Sequence, residues 1–446
     1  MASSMSSLGL GSDGALSYDV IDKLRGVDEK AIIAPIDNKI SKNQTKTNDL
    51  SALTTLTASL KAETSTLSDE MSYLKRTTSS SNDGISVDVS SGTEIQDFTF
   101  DVTAMAKRDI NESKSFAKTT DTFASEDDTV NFNIDGKDYK IDISAATTIE
   151  QFKNKIYDAT DGKITASLLN VGGTDPYKLI LKSTDTGANN AITVTTADTT
   201  DLGITNIQKA GDLDAKFNGV QISRSSNKID DLIVGVTINA NAEVSSNISI
   251  KQDTSTISDS LSSFVSKYND LMSNLVESTK YNSDTKAAGT FQGTSEIKSL
   301  KSDISKSLLT VDSSGKSLSE YGVTLNDAGI LEFDQSAFDS KMSSNSSDAE
   351  NFFRGDSTTD GFFTNFNSLL SGYIDSSNGI LTRYDTQLTN EKKTLEESKI
   401  TATKRLDSKY NIMAKKFAAY DTVISQYNAS FQSLSMQISS MVNGTN

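Results

Sequence analysis

The sequence predicts an α+β, multidomain protein. An antiparallel helical coiled coil or bundle built from the two ends of the chain, a leg, encloses an inserted β-rich head of two small domains. Three observations carry this. Seven-residue apolar repeats run through both ends. The middle changes to apolar–polar alternation punctuated by Asp-Gly and Asn-Gly. The 446 residues suffice for roughly two to four domains. The division that follows places 1–45 plus 405–446 in a terminal coiled-coil leg and 46–83 plus 251–404 in a helical leg domain. It places 84–118 plus 206–250 in one β-rich head domain, and 119–205 in a second, inserted one with a short helix.

Taken in order, the first dozen residues are rich in Ser and Gly, and helix runs from about Leu16 to Leu74. Val20, Leu24, Val27, Ile32, Ile36 and Ile40 mark its first part. Leu53, Leu60, Leu67 and Leu74 then recur every seven residues, flanked by Leu50, Leu56 and Met71. Pro35 starts a new helix or kinks this one. RTTSSSNDG (Arg76–Gly84) breaks the helix, and Phe98, Phe100 and Val102 alternate as a half-buried strand. VNFNIDGKDYKIDIS reads as a hairpin turning at Asp135-Gly136. Thr147 with Glu150 reads as a capping box for a short helix whose apolar face is Ile149, Phe152 and Ile156. Strands follow at Ile164–Leu168, Tyr177–Leu181 and Ala191–Val194. KFNGVQIS gives an Asn-Gly hairpin, and LIVGVTINANA continues the sheet.

Helix returns near Ser255, where Ile257, Leu261, Phe264, Tyr268, Leu271 and Leu275 step by fours and threes. Ile297, Leu300, Ile304 and Leu308 mark another amphipathic helix. The β-like patch YGVTLNDAGILEFD and short helices lead to about Tyr373. A long helix then begins near Leu381. Along it Leu406, Met413, Tyr420, Tyr427, Leu434 and Met441 form one seven-residue lane, and Tyr410, Phe417, Ile424, Phe431 and Ile438 a second. One helix cannot satisfy such a seam. Part must close inside the leg, but Tyr420, Tyr427 and Phe431 stand where a compact two-stranded coil favours Leu and Ile, and a Tyr hydroxyl needs water or a partner. The seam therefore reads as shared with a neighbouring subunit or filament. The expected interface residues are Leu53, Leu60, Leu67, Leu406, Met413, Phe417, Tyr420, Ile424, Tyr427, Phe431, Leu434 and Ile438.

Composition excludes much chemistry. There is no Cys, His or Trp, hence no disulfide, thiolate nucleophile, imidazole base, Ser-His-Asp triad or Cys/His metal site. A net charge of −17 repels nucleic acid and anionic lipid. No stretch approaches the roughly 20 apolar residues of a membrane span. The first residues lack the basic and apolar regions of a Sec signal, so export by another route is expected. GLGSDG (Gly9–Gly14) fits a dinucleotide pattern without the strand and βαβ unit it needs. SGKS (Ser314–Ser317) resembles the end of a phosphate loop, but the required first Gly is Thr310. NDAGILEFD and DGKD are acidic turns, for which calcium is the minor reading. We expect no catalytic residue, cofactor or metal.

Several blocks resemble the flagellar filament cap family, hook-associated protein 2. SLGLGSDGALSYDVIDKL (Ser7–Leu24) resembles the family's opening, and FDVTAMAKRD its first strand after the N-terminal coil. Thr147–Val194 resembles its head module, Phe217–Ile238 and Phe264–Leu275 are closer still, and Lys415–Ile438 resembles its C-terminal coil. The resemblance implies an extracellular structural protein at the distal tip of the bacterial flagellum, exported through the type III channel without a cleaved signal peptide. It implies a homo-oligomeric ring of about four to six subunits, with five or six favoured. Its implied partners are flagellin, a hook-filament junction protein and a cytoplasmic export chaperone, with no nucleic acid and no membrane insertion. The competing readings are another axial protein of the flagellin or junction type and, further off, a secreted adhesin or enzyme.

Overall fold

A computed structural model describes residues 18–443 apart from 198, 199 and 313. The Ser/Gly-rich leader, the GLGSDG run and most of the Ser7–Leu24 block lie outside the described residues. In chain order come helices α1 (Tyr18–Ile32), α2 (Ala34–Ser68) and α3 (Glu70–Tyr73). Strands β1 (Arg76–Ser80), β2 (Ile85–Val89), β3 (Gln96–Ala104), β4 (Ile110–Phe116), β5 (Asp128–Ile134) and β6 (Lys137–Ile143) lead to helix α4 (Ile149–Ala159). Next are β7 (Ile164–Asn170), β8 (Tyr177–Ser183), β9 (Thr193–Thr195), β10 (Thr205–Gln208), β11 (Leu213–Phe217) and β12 (Val220–Arg224). After β13 (Lys228–Ile233), β14 (Val236–Ala240) and β15 (Ser245–Gln252), helices α5 (Ser255–Thr279) and α6 (Ser295–Leu308) precede the small hairpin β16 (Val323–Leu325) and β17 (Leu331–Phe333). Helices α7 (Gln335–Arg354), α8 (Phe362–Ile374) and α9 (Ile380–Asn443) complete the chain. Two compact units result: the two ends of the chain, up to Asp69 and from Ile257, form one, and Glu70–Thr256 forms the other. Helical ends thus enclose a β-rich middle.

In the helical unit the seven-residue lanes become buried stripes. Leu50, Leu53, Leu60 and Leu67 of α2 are enclosed, as are Ile257, Leu261, Phe264, Leu271 and Leu275 of α5 and Ile297, Leu300 and Ile304 of α6. Phe264 meets Phe363 and Phe366 of α8 edge-on, with centroids 5.1 and 5.6 Å apart, the arrangement the ring quadrupoles favour. Pro35 sits in the first turn of α2, where its missing N–H costs nothing. It begins a new helix. The second lane of α2 is partly polar, with Asn43, Thr57 and Thr64 buried. Thr57 and Thr64 return their hydroxyls to the α2 carbonyls of Leu53 and Lys61, so neither donor is stranded.

The β-rich unit holds two hydrophobic clusters. One joins the five-stranded sheet β1-β15-β3-β11-β12 to the three-stranded sheet β13-β14-β2 through Phe98, Phe100, Val102, Ile229, Ile238 and Ile250. The other lies among β10-β4-β8-β7, β6-β5-β9 and α4, with Phe132, Ile141, Phe152, Ile156 and Leu179 at its centre. The two turn signals behave as read. Asp135 and Gly136 have φ of 52° and 70°, Asn218 and Gly219 48° and 85°, the left-handed pair that matches hairpin twist.

Two readings of this region are corrected. The capping box belongs to Thr148 and Gln151, while Thr147 is turned inward and accepts from Ser144 N at 2.8 Å. Arg76–Gly84 is not merely a break, since RTTSS forms β1 on the edge of the large sheet beside β15. LIVGVTINANA continues the sheet as expected, as the end of β13, a turn at Val234-Gly235, and β14.

Candidate interaction surface

Helix α9 runs back along α2 and α1, held by a ladder of polar contacts. Asn43 Nδ2 donates to Leu388 O at 3.1 Å and Glu391 Oε2 at 3.2 Å, and Lys392 Nζ donates to Gln44 Oε1 at 2.7 Å. Lys399 pairs with Asp37 at 2.7 Å, Arg25 with Asp407 at 2.5 Å, and Lys409 with Asp28 at 2.6 Å. From position 388 to 409 of α9 the partners move from 43 and 44 through 37 to 25 and 28, so the helices are antiparallel. Tyr410 adds a bond from its hydroxyl to Asp28 at 2.8 Å. The Lys409 ammonium first, then the Tyr410 hydroxyl, hold the Asp28 carboxyl below the usual carboxylate range. Ile21, Leu406 and Tyr410 form a small buried cluster beside this ladder, with Ile33, Met413 and Phe417 half-buried against it.

The expected interface residues therefore separate into two groups. Leu53, Leu60 and Leu67 are 0% exposed and Leu406 4%. They lie inside the unit's own core and present no surface to another molecule, because α2 already packs along α8 and α9. Met413 and Phe417 form the border. Beyond it Tyr420, Ile424, Tyr427, Phe431, Leu434 and Ile438 are exposed, Tyr427 by 74% and Phe431 by 72%. Val423 and Met436, off the two heptad lanes, are exposed with them. Their signal was in the sequence as a loss of charge. Fourteen of the 37 residues in Ile380–Lys416 are charged, against one, Asp421, of the 27 in Phe417–Asn443. A solvated helix face is normally polar, so a stretch with a single charge and rich in Tyr, Phe and Ile marks a surface built to be covered. On α1, likewise, Ile21 is the residue buried on α9, while Val20, Leu24, Val27 and Ile32 are exposed.

Among the described residues, the SGKS, DGKD and NDAGILEFD runs are accounted for by local structure. Lys316 of the SGKS run is paired with Asp348, and its loop is closed by Ser314 N and Lys316 N donating to Asp312 Oδ1 at 2.8 Å. Lys137 of DGKD pairs with Asp161 at 2.7 Å. NDAGILEFD is the β16–β17 turn, with Asn326 Oδ1 accepting from Ala328 N and Ile330 N. Among the described residues no group of three or more acidic side chains is placed to hold a metal ion, and no helix is long and apolar enough to cross a membrane.

Fold and surface together define a class: a structural assembly protein whose two ends form an antiparallel helical leg with an uncovered apolar tip. Known proteins sharpen this. The family model for the flagellar hook-associated protein 2 N-terminus matches residues 14–109, and that for its C-terminus matches 210–429. The flagellar hook-associated protein 2 of Helicobacter pylori is 26% identical over 98% of each chain. That of Campylobacter jejuni is 32% identical over 78% of this chain and 64% of its own. A crystal structure of the flagellar cap protein FliD from Escherichia coli shares the fold, with a TM-score of 0.54 and 24% identity over 76% of this chain and 99% of that one. The chain belongs to the flagellar hook-associated protein 2 family. Every buried member of the second β cluster, from Phe116 to Leu202, falls in the interval between the two matched segments.

Proposed function

We propose that this chain is a subunit of the cap at the distal tip of the bacterial flagellar filament, where it promotes folding and insertion of exported flagellin and prevents its loss. The observation that carries the reading is the exposed, charge-poor apolar tip of α9 on a chain of this family. The buried seam builds the leg, and the tip from Tyr420 onward is its contact with the filament. We take the action as structural: the sequence carries no complete phosphate-loop motif, so any stepping draws on binding and folding energy of flagellin. Cap subunits assemble into a ring of about four to six copies and meet flagellin and a hook-filament junction protein. Delivery is by a cytoplasmic export chaperone and the flagellar type III channel. The two β clusters support a head of two domains, for which we take the bounds 84–118 plus 206–250 and 119–205, with β4 and β10 going instead with the second cluster; the leg we divide into 1–45 plus 405–446 and 46–83 plus 251–404.

The test replaces Ile424, Tyr427 and Phe431 together by Ser. All three are exposed, so folding should survive. We expect short or absent filaments and monomeric flagellin in the medium. Filaments of normal length with no leakage would refute the contact role. Long polymers of the purified chain would favour a flagellin-like or junction protein instead.

A further inference from the structure

Natural sheets guard their edges with charge, proline, bulges or short length, because an open edge templates pairing with another strand. In the β-rich unit β6 carries Lys137, Asp138, Lys140 and Asp142, and β13 carries Lys228, Asp230 and Asp231. The edges β12, β1 and β2 include Arg224, Arg76 and Asp88, while β9 and β10 have only three and four residues. β7, the outer strand of β10-β4-β8-β7, differs. Its seven residues, ITASLLN, include no charge and no proline, and its register with β8 is unbroken.

The hydrogen-bond phase shows which backbone groups lie open. Thr184 N donates to Lys163 O, and Val171 N to Pro176 O, so odd-numbered residues of β7 bond β8. The N–H and C=O groups of Ala166, Leu168 and Asn170 therefore point away from the sheet, whereas Ile164 N donates to Thr160 Oγ1 at 3.2 Å. On the solvent face stand Thr165, Ser167 and Leu169. Leu169 and the following Val171 are each 51% exposed.

We propose that β7 pairs with β7 of a second copy of this chain, antiparallel about a two-fold axis at Leu168. Charge selects this occupant. On a chain of net charge −17 few surfaces let two copies meet without repulsion, and β7 is a neutral strip. The two-fold register sets Ser167 beside Leu169 of the second copy and Thr165 beside Val171. It uses all three open residues, for about six main-chain hydrogen bonds. One short strand falls below the roughly 1,000 Å² of a stable interface. The pairing is therefore weak and concentration-dependent, and, being two-fold, it joins copies of separate rings and not neighbours within one ring.

Because the chain has no Cys, introduced thiols report on the pairing alone. Ser167→Cys and Leu169→Cys are made as separate full-length variants and oxidised singly and mixed. Residues 167 and 169 of opposite copies would have Cα atoms about 4.5 Å apart, within disulfide reach, while like positions are diagonal and outside it. We expect a disulfide dimer several-fold more abundant in the mixture than in either variant alone. Equal cross-linking in all three samples, or none, overturns the proposal. In the unmodified chain, amide exchange at Ala166, Leu168 and Asn170 should slow with rising protein concentration, and exposed Ser167→Lys should abolish the slowing. Slowing that appears only on adding unfolded flagellin would overturn self-pairing in favour of an extended client strand.

Discussion

Asp109 shows how much one side chain can organise. It is almost wholly buried, and its carboxylate accepts from uncharged donors. Its Oδ2 accepts from Asn111 Nδ2 at 2.8 Å and Ile192 N at 2.7 Å, and its Oδ1 from Asn206 Nδ2 at 2.6 Å and Ala210 N at 3.2 Å. Four donors around one carboxylate satisfy a group that can only accept. They tie β4 to the segments leading into β9, β10 and β11. Asp109→Asn keeps the volume but turns an amide N–H₂ towards donors. We expect the variant to lose about 1–3 kcal/mol of stability in the β-rich unit, read as a lower midpoint in urea unfolding followed by the strand signal. An unchanged midpoint would show that the network is dispensable. Nothing in the sequence announced this hub, because Ile192, Asn206 and Ala210 lie 83 or more positions away. The cap of α4 was legible to within one residue, since Thr147 and Thr148 carry the same side chain and only the fold decides which faces Gln151.

At the scale of elements, legibility followed the apolar period. The lanes of α2, α5, α6 and α9 and the hairpins β5–β6 and β11–β12 could be read because buried positions are apolar and the turns carry Asp-Gly or Asn-Gly. β4 could not, since its buried positions include Asn111 and Ser113, polar residues satisfied by Asp109, Asn206 and Leu179 N. β15 likewise hides Ser246, bonded to Ser80 and Ser81. Polar burial defeats a reading based on hydropathy. Polar contacts at the surface also shape how α1 docks: a few apolar side chains and the Arg25–Asp407 and Asp28–Lys409 pairs join it to α9. The Asp28 pKa is depressed in the folded state, so its contribution is present above the unfolded value of about 3.9 and is lost as pH falls through the lower folded value. Acidification below the ordinary carboxylate range should thus release α1 before the leucine core of α2 yields. Amide protection factors at Leu24–Lys30, corrected for intrinsic rates, should drop while those around Leu53–Leu60 hold. Asp28→Asn should remove the acid-dependent step, and about 1 M salt should weaken the docking at neutral pH. Parallel loss in both regions would show that α1 is no softer than the core.

For the whole molecule, stability and function divide along one helix. Up to Phe417, α9 is part of a folded unit, with Leu381, Leu388, Leu406 and Tyr410 buried. From Tyr420 it continues in the same conformation with the same heptad spacing, but its apolar side chains face solvent. The heptad pattern alone could not separate these halves, because an internal core and an external contact ask for the same spacing; the fall in charge after Lys416 could. A helix of 64 residues spans about 96 Å at 1.5 Å per residue, and roughly a third of it adds nothing to the described core. A chain ending at Ala419 should therefore unfold at the same denaturant midpoint as the full chain, within about 0.5 kcal/mol. It should nevertheless fail to restore filaments in cells lacking the parent protein, with flagellin released to the medium. A clear fall in the midpoint would return the tip to the core. Normal filaments would move the contact elsewhere on the molecule. Only an unchanged midpoint together with lost filaments fits a leg whose core folds by itself and whose last turns are completed by a neighbour.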